Sequence, residues 1–193
     1  MRKLGIALAL VAAALVTSTP AMAQAAKKKQ RQRISPHETI TATIDGDDLK
    51  LVYGRPYTVK PGTSEVRKIW GGLVPYGEVW RTGADEATLL TTEKPIEIGG
   101  YPLAAGTYSL FTVPAEDGTA KLIINKKTGQ WGVPYKVDEE KANELARVEL
   151  KKTERDKPVN QFTMAIESQP GGGGELKMMW EKTQYSIPFT VKK

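Results

Sequence analysis

The sequence predicts an all-β chain: an antiparallel β-sandwich, jelly-roll-like, with one long ordered loop and at most one short helix. Three observations carry that reading. From Ile34 onward the chain is a succession of short runs that alternate apolar and polar residues. Gly and Pro clusters break those runs at short intervals, which is the texture of a sandwich or barrel. Only one segment has the look of a helix, and it is short of apolar anchors.

The elements follow in order. Thr39–Ile44 alternates, with Ile40 and Ile44 on one face. Asp45-Gly46-Asp47-Asp48 is a turn cluster, and Leu49–Tyr53 is the next strand. Ala87–Thr92 and Pro95–Ile98 read as strands, and Gly99-Gly100 can supply the positive φ angles of a tight hairpin. Thr107–Val113 is rich in β-branched and aromatic residues, and Lys121–Asn125 is its predicted partner. Phe162, Met164 and Ile166 share one face of a strand. Leu176, Met178 and Trp180 share one face of the next, and Tyr185, Ile187, Phe189 and Val191 of the last. Pro188 predicts an edge or a bulge there. Asp138–Ala146 is the helical candidate, acidic at its start, with Leu145 as its single large apolar residue. Ser168-Gln169-Pro170 and four glycines form a flexible connection. They do not form a phosphate loop, because the lysine and Ser/Thr at fixed spacing are absent.

The N-terminus has a different character. Arg2 and Lys3 precede an apolar run from Leu4 to Val16, and Ala21-Met22-Ala23 supplies small residues at the −3 and −1 positions. That is a Sec signal pattern, with cleavage expected after Ala23. The apolar run is short of the roughly 20 residues of a membrane span. Residues 1–23 are therefore expected to be a signal peptide, residues 24–36 a basic disordered tail, and residues 37–193 a single β-sandwich domain. The expected location is periplasmic or secreted, with no membrane span in the mature protein.

Charge and cysteine content narrow the function classes. The chain is formally +6, but Arg2, Lys3, Lys27, Lys28, Lys29, Arg31 and Arg33 carry the excess, and the chain from Ile34 onward stands at −1. A near-neutral domain argues against nucleic acid as a partner. There is no cysteine and a single histidine, so disulfides, thiolate nucleophiles and Cys-based zinc sites are excluded, and no metal or cofactor is expected. Asp45, Asp47 and Asp48 lack the Gly and distant Glu of an EF-hand.

The stretch from Tyr53 to Glu86 departs from the strand pattern and is dense in Gly, Pro, aromatic and charged residues. Long ordered loops often carry function. Trp70, Tyr76 and Trp80 can pack the loop down or line a groove. Arg55, Arg67 and Arg81 offer forked donors suited to carboxylate, phosphate or sulfate. The candidate ligand-binding set is His37, Arg55, Trp80, Arg81, Asp85 and Glu86. His37 is either a hydrogen-bonding structural residue or a general base. Asp85 and Glu86, if extended, point to opposite faces and do not form a glycosidase pair; either can pin the loop through Arg81 or Arg55. No Gly-x-Ser-x-Gly elbow is present. Trp131-Gly132, after Asn125, reads as hairpin packing, or as an exposed ring able to stack on a sugar.

Several segments together resemble a bacterial family known as domain of unknown function number 2911. They are Ser35-Pro36-His37, Tyr53-Gly54-Arg55-Pro56, Ile69–Gly77, Trp80–Thr88, Ala105–Pro114, Asn125 and Gln130-Trp131-Gly132. The resemblance implies an exported protein and no established activity. Two departures stand out. The family pattern commonly carries Asn at the position of Asp85, and Asp138–Ala146 looks like an acidic insertion.

Three readings are open from sequence. The first is a binding module for a polar or anionic envelope ligand, such as a glycan or a carboxylate. The second is a hydrolase or isomerase using His37, Asp85 or Glu86 as acid and base, with Arg81 binding an oxyanion. The third is a structural envelope protein whose charged loop caps the core. Oligomeric state is not legible.

Overall fold

The computed structural model describes residues 33–192. The expected signal peptide and the tail as far as residue 32 lie outside the described residues. Among the described residues nine strands form one hydrogen-bonded order, β1-β2-β3-β6-β7-β8-β9-β4-β5, every pair antiparallel. The strands are β1 (His37–Ile44), β2 (Asp47–Gly54), β3 (Thr88–Thr92), β4 (Ile96–Ile98), β5 (Tyr101–Leu103), β6 (Gly106–Pro114), β7 (Ala120–Asn125), β8 (Glu144–Ser168) and β9 (Gly174–Val191). The all-β antiparallel architecture is the one the alternation predicts.

The long strand β8 folds the sheet over itself. Glu144–Leu150 pairs with β7, and Lys151–Ser168 pairs with β9. Between Glu154 and Val159 the chain advances five residues while β9 advances only from Thr183 to Glu181. Extra residues on one strand bend it and increase its twist. The bend lays Phe162, Met164, Leu176, Met178 and Trp180 against Leu49, Leu51, Leu90 and Leu110 in one core. This is the face-to-face packing of a sandwich.

Two predicted strands are one. Leu176–Trp180 and Tyr185–Val191 both belong to β9. Glu181 sits at φ 52 between them. The irregularity there changes the inward parity, so Leu176, Met178 and Trp180 are buried before it and Tyr185, Ile187 and Phe189 after it. Pro188 lies beyond the pairing with β8, and its carbonyl accepts from Gly99 N at 3.0 Å.

The predicted helix is also shorter. α1 covers Val137–Glu140, followed by a 3-10 turn over Lys141–Asn143. Glu144 and Ala146 pair with Asn125 and Ile124 of β7, and Leu145 packs against the core. A free sheet edge captured the segment that one apolar residue was too few to hold as a helix.

The predicted turns are in place. Asp45-Gly46 and Gly99-Gly100 all have positive φ, as two-residue hairpins require. The Gly-rich connection between β8 and β9 closes through Gln169 N to Gly173 O at 3.0 Å and is pinned by Gly173 N to Asp45 Oδ2 at 2.6 Å. Among the described residues no helix is long and apolar enough to cross a membrane.

The loop between β2 and β3 is ordered by short backbone pairings. Thr58 N donates to Asn160 O and Phe162 N to Pro56 O, tying its start to β8. Trp80 and Thr112 exchange both backbone hydrogen bonds, at 2.8 and 2.7 Å, so its end lies along β6. Between these anchors Trp70 and Trp80 enter an aromatic cluster with Phe162 and Trp180.

Candidate functional site

The last turn of this loop, Arg81–Ala87, touches two polar assemblies. Its backbone is unusual. Thr82 and Asp85 adopt φ of 55 and 66. A left-handed β-branched residue is an outlier that persists only where surroundings over-determine it. Thr82 is fully buried; its hydroxyl lies 2.7 Å from that of Thr112, and its carbonyl accepts from the Thr88 hydroxyl at 2.6 Å. Gly54 gives the turn room: a Cβ there would stand 2.2 Å from Ala84 O. Asp tolerates the left-handed region better than most residues, which suits Asp85 to this turn.

This conformation changes what Asp85 and Glu86 can do. Asp85 is not extended, and both carboxylates turn to one imidazole nitrogen. His37 Nε2 lies 3.1 Å from Asp85 Oδ2 and 3.6 Å from Glu86 Oε2. The condition under which the two point apart, an extended backbone, is not met, because the left-handed Asp85 breaks the alternation of a strand. His37 is only partly exposed. A carboxylate only accepts, so toward an ionised Asp85 the ring nitrogen of His37 is the donor. Arg33 pairs with Glu86 Oε1. Burial pushes the Glu86 carboxyl up, but the Arg33 hydrogen bond and charge, with His37 beside them, bring it net below its ordinary value.

The other predicted residues go elsewhere. Arg55 Nη1 lies 3.2 Å from Glu38 Oε2, and its Nε and Nη2 donate to Phe162 O and Thr163 Oγ1 at 3.2 and 2.9 Å. Glu38 also accepts from the Tyr53 hydroxyl at 2.5 Å. His37 and Glu38 are consecutive on β1, so they face opposite ways, and Arg55 does not join the histidine cluster. Trp80 is packed against Phe162 at 4.9 Å between ring centroids. Arg81 lies over the Trp131 ring at 5.7 Å and donates from Nη1 to Trp131 O at 3.3 Å.

Arg81 thereby joins the turn to a cleft of about 250 Å³. Gln130, Trp131, Tyr135, Lys136, Glu139 and Glu140 line it. Gly132, at φ 90, lets this segment lie on the turn, since a Cβ would stand 2.7 Å from Arg81 Cβ. Tyr135 packs edge-on against Phe111 at 4.8 Å. Behind the cleft runs a polar chain. Lys127 Nζ donates to Glu140 Oε1 at 2.6 Å, Asn125 Nδ2 to Glu140 Oε2 at 3.2 Å, and the Tyr135 hydroxyl to Glu144 Oε2 at 3.1 Å. Burial, with the Glu144 and Glu140 charges added and the Asn125 hydrogen bond opposing, pushes Tyr135 up to about 12. It stays a neutral donor at any physiological pH.

From sequence, Trp131 is open between hairpin packing and a sugar-stacking ring, Gln130 appears only in a family motif, and Tyr135 and Glu140 are not singled out. The aromatic spacing Trp131…Tyr135 was the available signal. Nothing in an acidic run marks Glu140 as its buried member. Among the described residues no group of three or more His, Cys, Asp or Glu side chains could hold a metal ion.

No curated protein and no solved structure matches this chain. The family model described as protein of unknown function (DUF2911) matches residues 35–189, and the chain belongs to that family.

Proposed function

We propose that this protein is an exported binding module for a polar or anionic ligand of the cell envelope, such as a glycan or a carboxylate. The observation that carries the reading is the open aromatic cleft with Arg81 stacked beside it on Trp131. Binding sites are concave and largely aromatic, with a few placed polar groups. The leader pattern of residues 1–23 supports export. Screening envelope glycans and small carboxylates against the protein, followed by Arg81→Ala, tests the site. A ligand lost with Arg81 supports it, and affinity that survives Arg81→Ala unchanged counts against it. Mass spectrometry of the protein from a periplasmic fraction tests export, through the chain beginning after Ala23.

A second reading is acid–base catalysis, favoured by the convergence of Asp85 and Glu86 on His37 Nε2. A general base must lie within hydrogen-bond reach of its partner groups. Turnover of an ester or glycoside that disappears in His37→Gln and persists in Trp131→Ala supports catalysis at the turn rather than binding at the cleft.

A further inference from the structure

We infer that the cleft takes a neutral, hydroxyl-bearing ring, a single pyranose unit, and discriminates against its carboxylated counterpart. The inference rests on the reading of the cleft as the binding site and chooses between the two ligand chemistries that reading leaves open.

Size comes first. Pockets for drug-sized ligands begin at about 300 Å³. At about 250 Å³ this cleft suits one ring and its substituents. Trp131 and Tyr135 supply aromatic surface for the apolar C–H face of a sugar.

The charges decide the rest. Every cation at the cleft is already engaged. Lys136 Nζ donates to Glu139 at 2.8 Å, and Lys127 Nζ to Glu140 at 2.6 Å. The Arg81 guanidinium lies over Trp131 and donates to its carbonyl. An anion would meet cations whose charge is already partly offset by these contacts. It would also sit beside Glu139 and Glu140, where like charges repel.

The unmet groups ask for donors. Gln130 Nε2 donates to Ser109 Oγ at 3.0 Å, but its amide oxygen is buried with no hydrogen-bond partner among the described residues. A buried acceptor left unpaired is costly. The amide has to turn toward the cleft for a ligand to reach that oxygen; once turned, it can accept from a hydroxyl, whereas an ionised carboxylate has no proton to give. Glu139 adds further acceptor oxygens on the lining. The Tyr135 hydroxyl proton is already spent on Glu144. The lining therefore offers acceptors and little to receive an acid.

The test is a titration of the purified protein with methyl glycosides of the gluco, galacto and manno series and with glucuronate, followed by NMR. The Trp131 indole N–H, assigned through Trp131→Phe, and the Gln130 side-chain amide are the reporters. At least one neutral glycoside is expected to shift both signals and to bind more tightly than glucuronate. Gln130→Met is expected to weaken that binding about three- to tenfold, the loss of one neutral hydrogen bond. Glucuronate binding as tightly at the same reporters overturns the ligand class and leaves the cleft reading standing. Silence of both reporters with every sugar overturns the ligand class as well; a non-sugar ligand lost in Arg81→Ala would then keep the cleft reading alone. Glycoside binding that survives Trp131→Ala overturns both.

Discussion

Gly54→Ala is the substitution that most directly tests how the turn is held. A Cβ at Gly54 would stand 2.2 Å from Ala84 O, 2.9 Å from Ala84 C and 3.1 Å from Ala84 Cα. All three are backbone atoms, so no rotamer change relieves the clash. Comfortable contact needs about 3.5 Å, and the Ala84 peptide must retreat by about 1 Å. Gly54 has no positive φ, so alanine meets no conformational penalty, and the effect is steric alone. Overpacking costs about 1–3 kcal/mol. The Ala84 N to Gly54 O bond at 3.2 Å goes with it, adding about 1 kcal/mol. Lower entropy of the unfolded chain returns about 0.5–1 kcal/mol. The net expectation is about 2–3 kcal/mol, or roughly 5–10 °C in Tm for a domain of this size. Thermal and urea unfolding followed by tryptophan fluorescence measure it. The same shift should draw Asp85 from His37 and move the imidazole resonances. Gly62→Ala is the control: it has φ 76 and nothing within 4 Å of a Cβ, so it should cost about 1 kcal/mol and leave His37 unmoved. A Gly54→Ala protein as stable as the parent, with unchanged His37 signals, would refute this account of the turn.

Other substitutions probe the surrounding contacts. The Glu86 carboxyl is held below its ordinary value, so its contribution is full above the unfolded pKa near 4.3 and is lost as pH falls through the folded one. Glu86→Gln should therefore be less stable by up to about 1 kcal/mol at pH 7, with the gap closing in acid-unfolding curves. Asp47 is fully buried and accepts from Thr92 Oγ1, Glu93 N and Lys94 N at 2.5, 2.9 and 2.8 Å. Asp47→Ala strands two backbone donors and should cost about 3 kcal/mol by urea titration, with Asp47→Asn milder. Trp180 is fully buried, and its indole N–H donates to Thr58 Oγ1 at 3.0 Å. Trp180→Ala should cost about 3–5 kcal/mol and release the Trp70 and Trp80 rings, seen as a red-shifted emission.

Local chemistry made much of this protein legible. Alternation along Leu49–Tyr53 is enforced by one buried face, while Thr107–Val113, buried on both faces, is marked by its β-branched and aromatic residues; both strands are there. Gly99-Gly100 and Asp45-Gly46 are turns because their φ values demand such residues. The segment between Tyr53 and Glu86 was marked by composition as something other than a strand, and His37, Asp85 and Glu86 were singled out by residue type. Other features needed the partner strands. Glu144–Ala146 became part of β8 because β7 offered an edge, and the two halves of β9 fused across a left-handed Glu181. The meeting of His37 with Asp85 depends on the close approach of Ala84 to Gly54, 30 residues apart in sequence. The cleft needs β6, the Gln130–Gly132 segment and α1 at once. Side-chain periodicity reports which face of a strand is buried, because that is a local steric and hydrophobic fact. Which polar groups share a site is set by register between distant strands, and only the folded chain decides it.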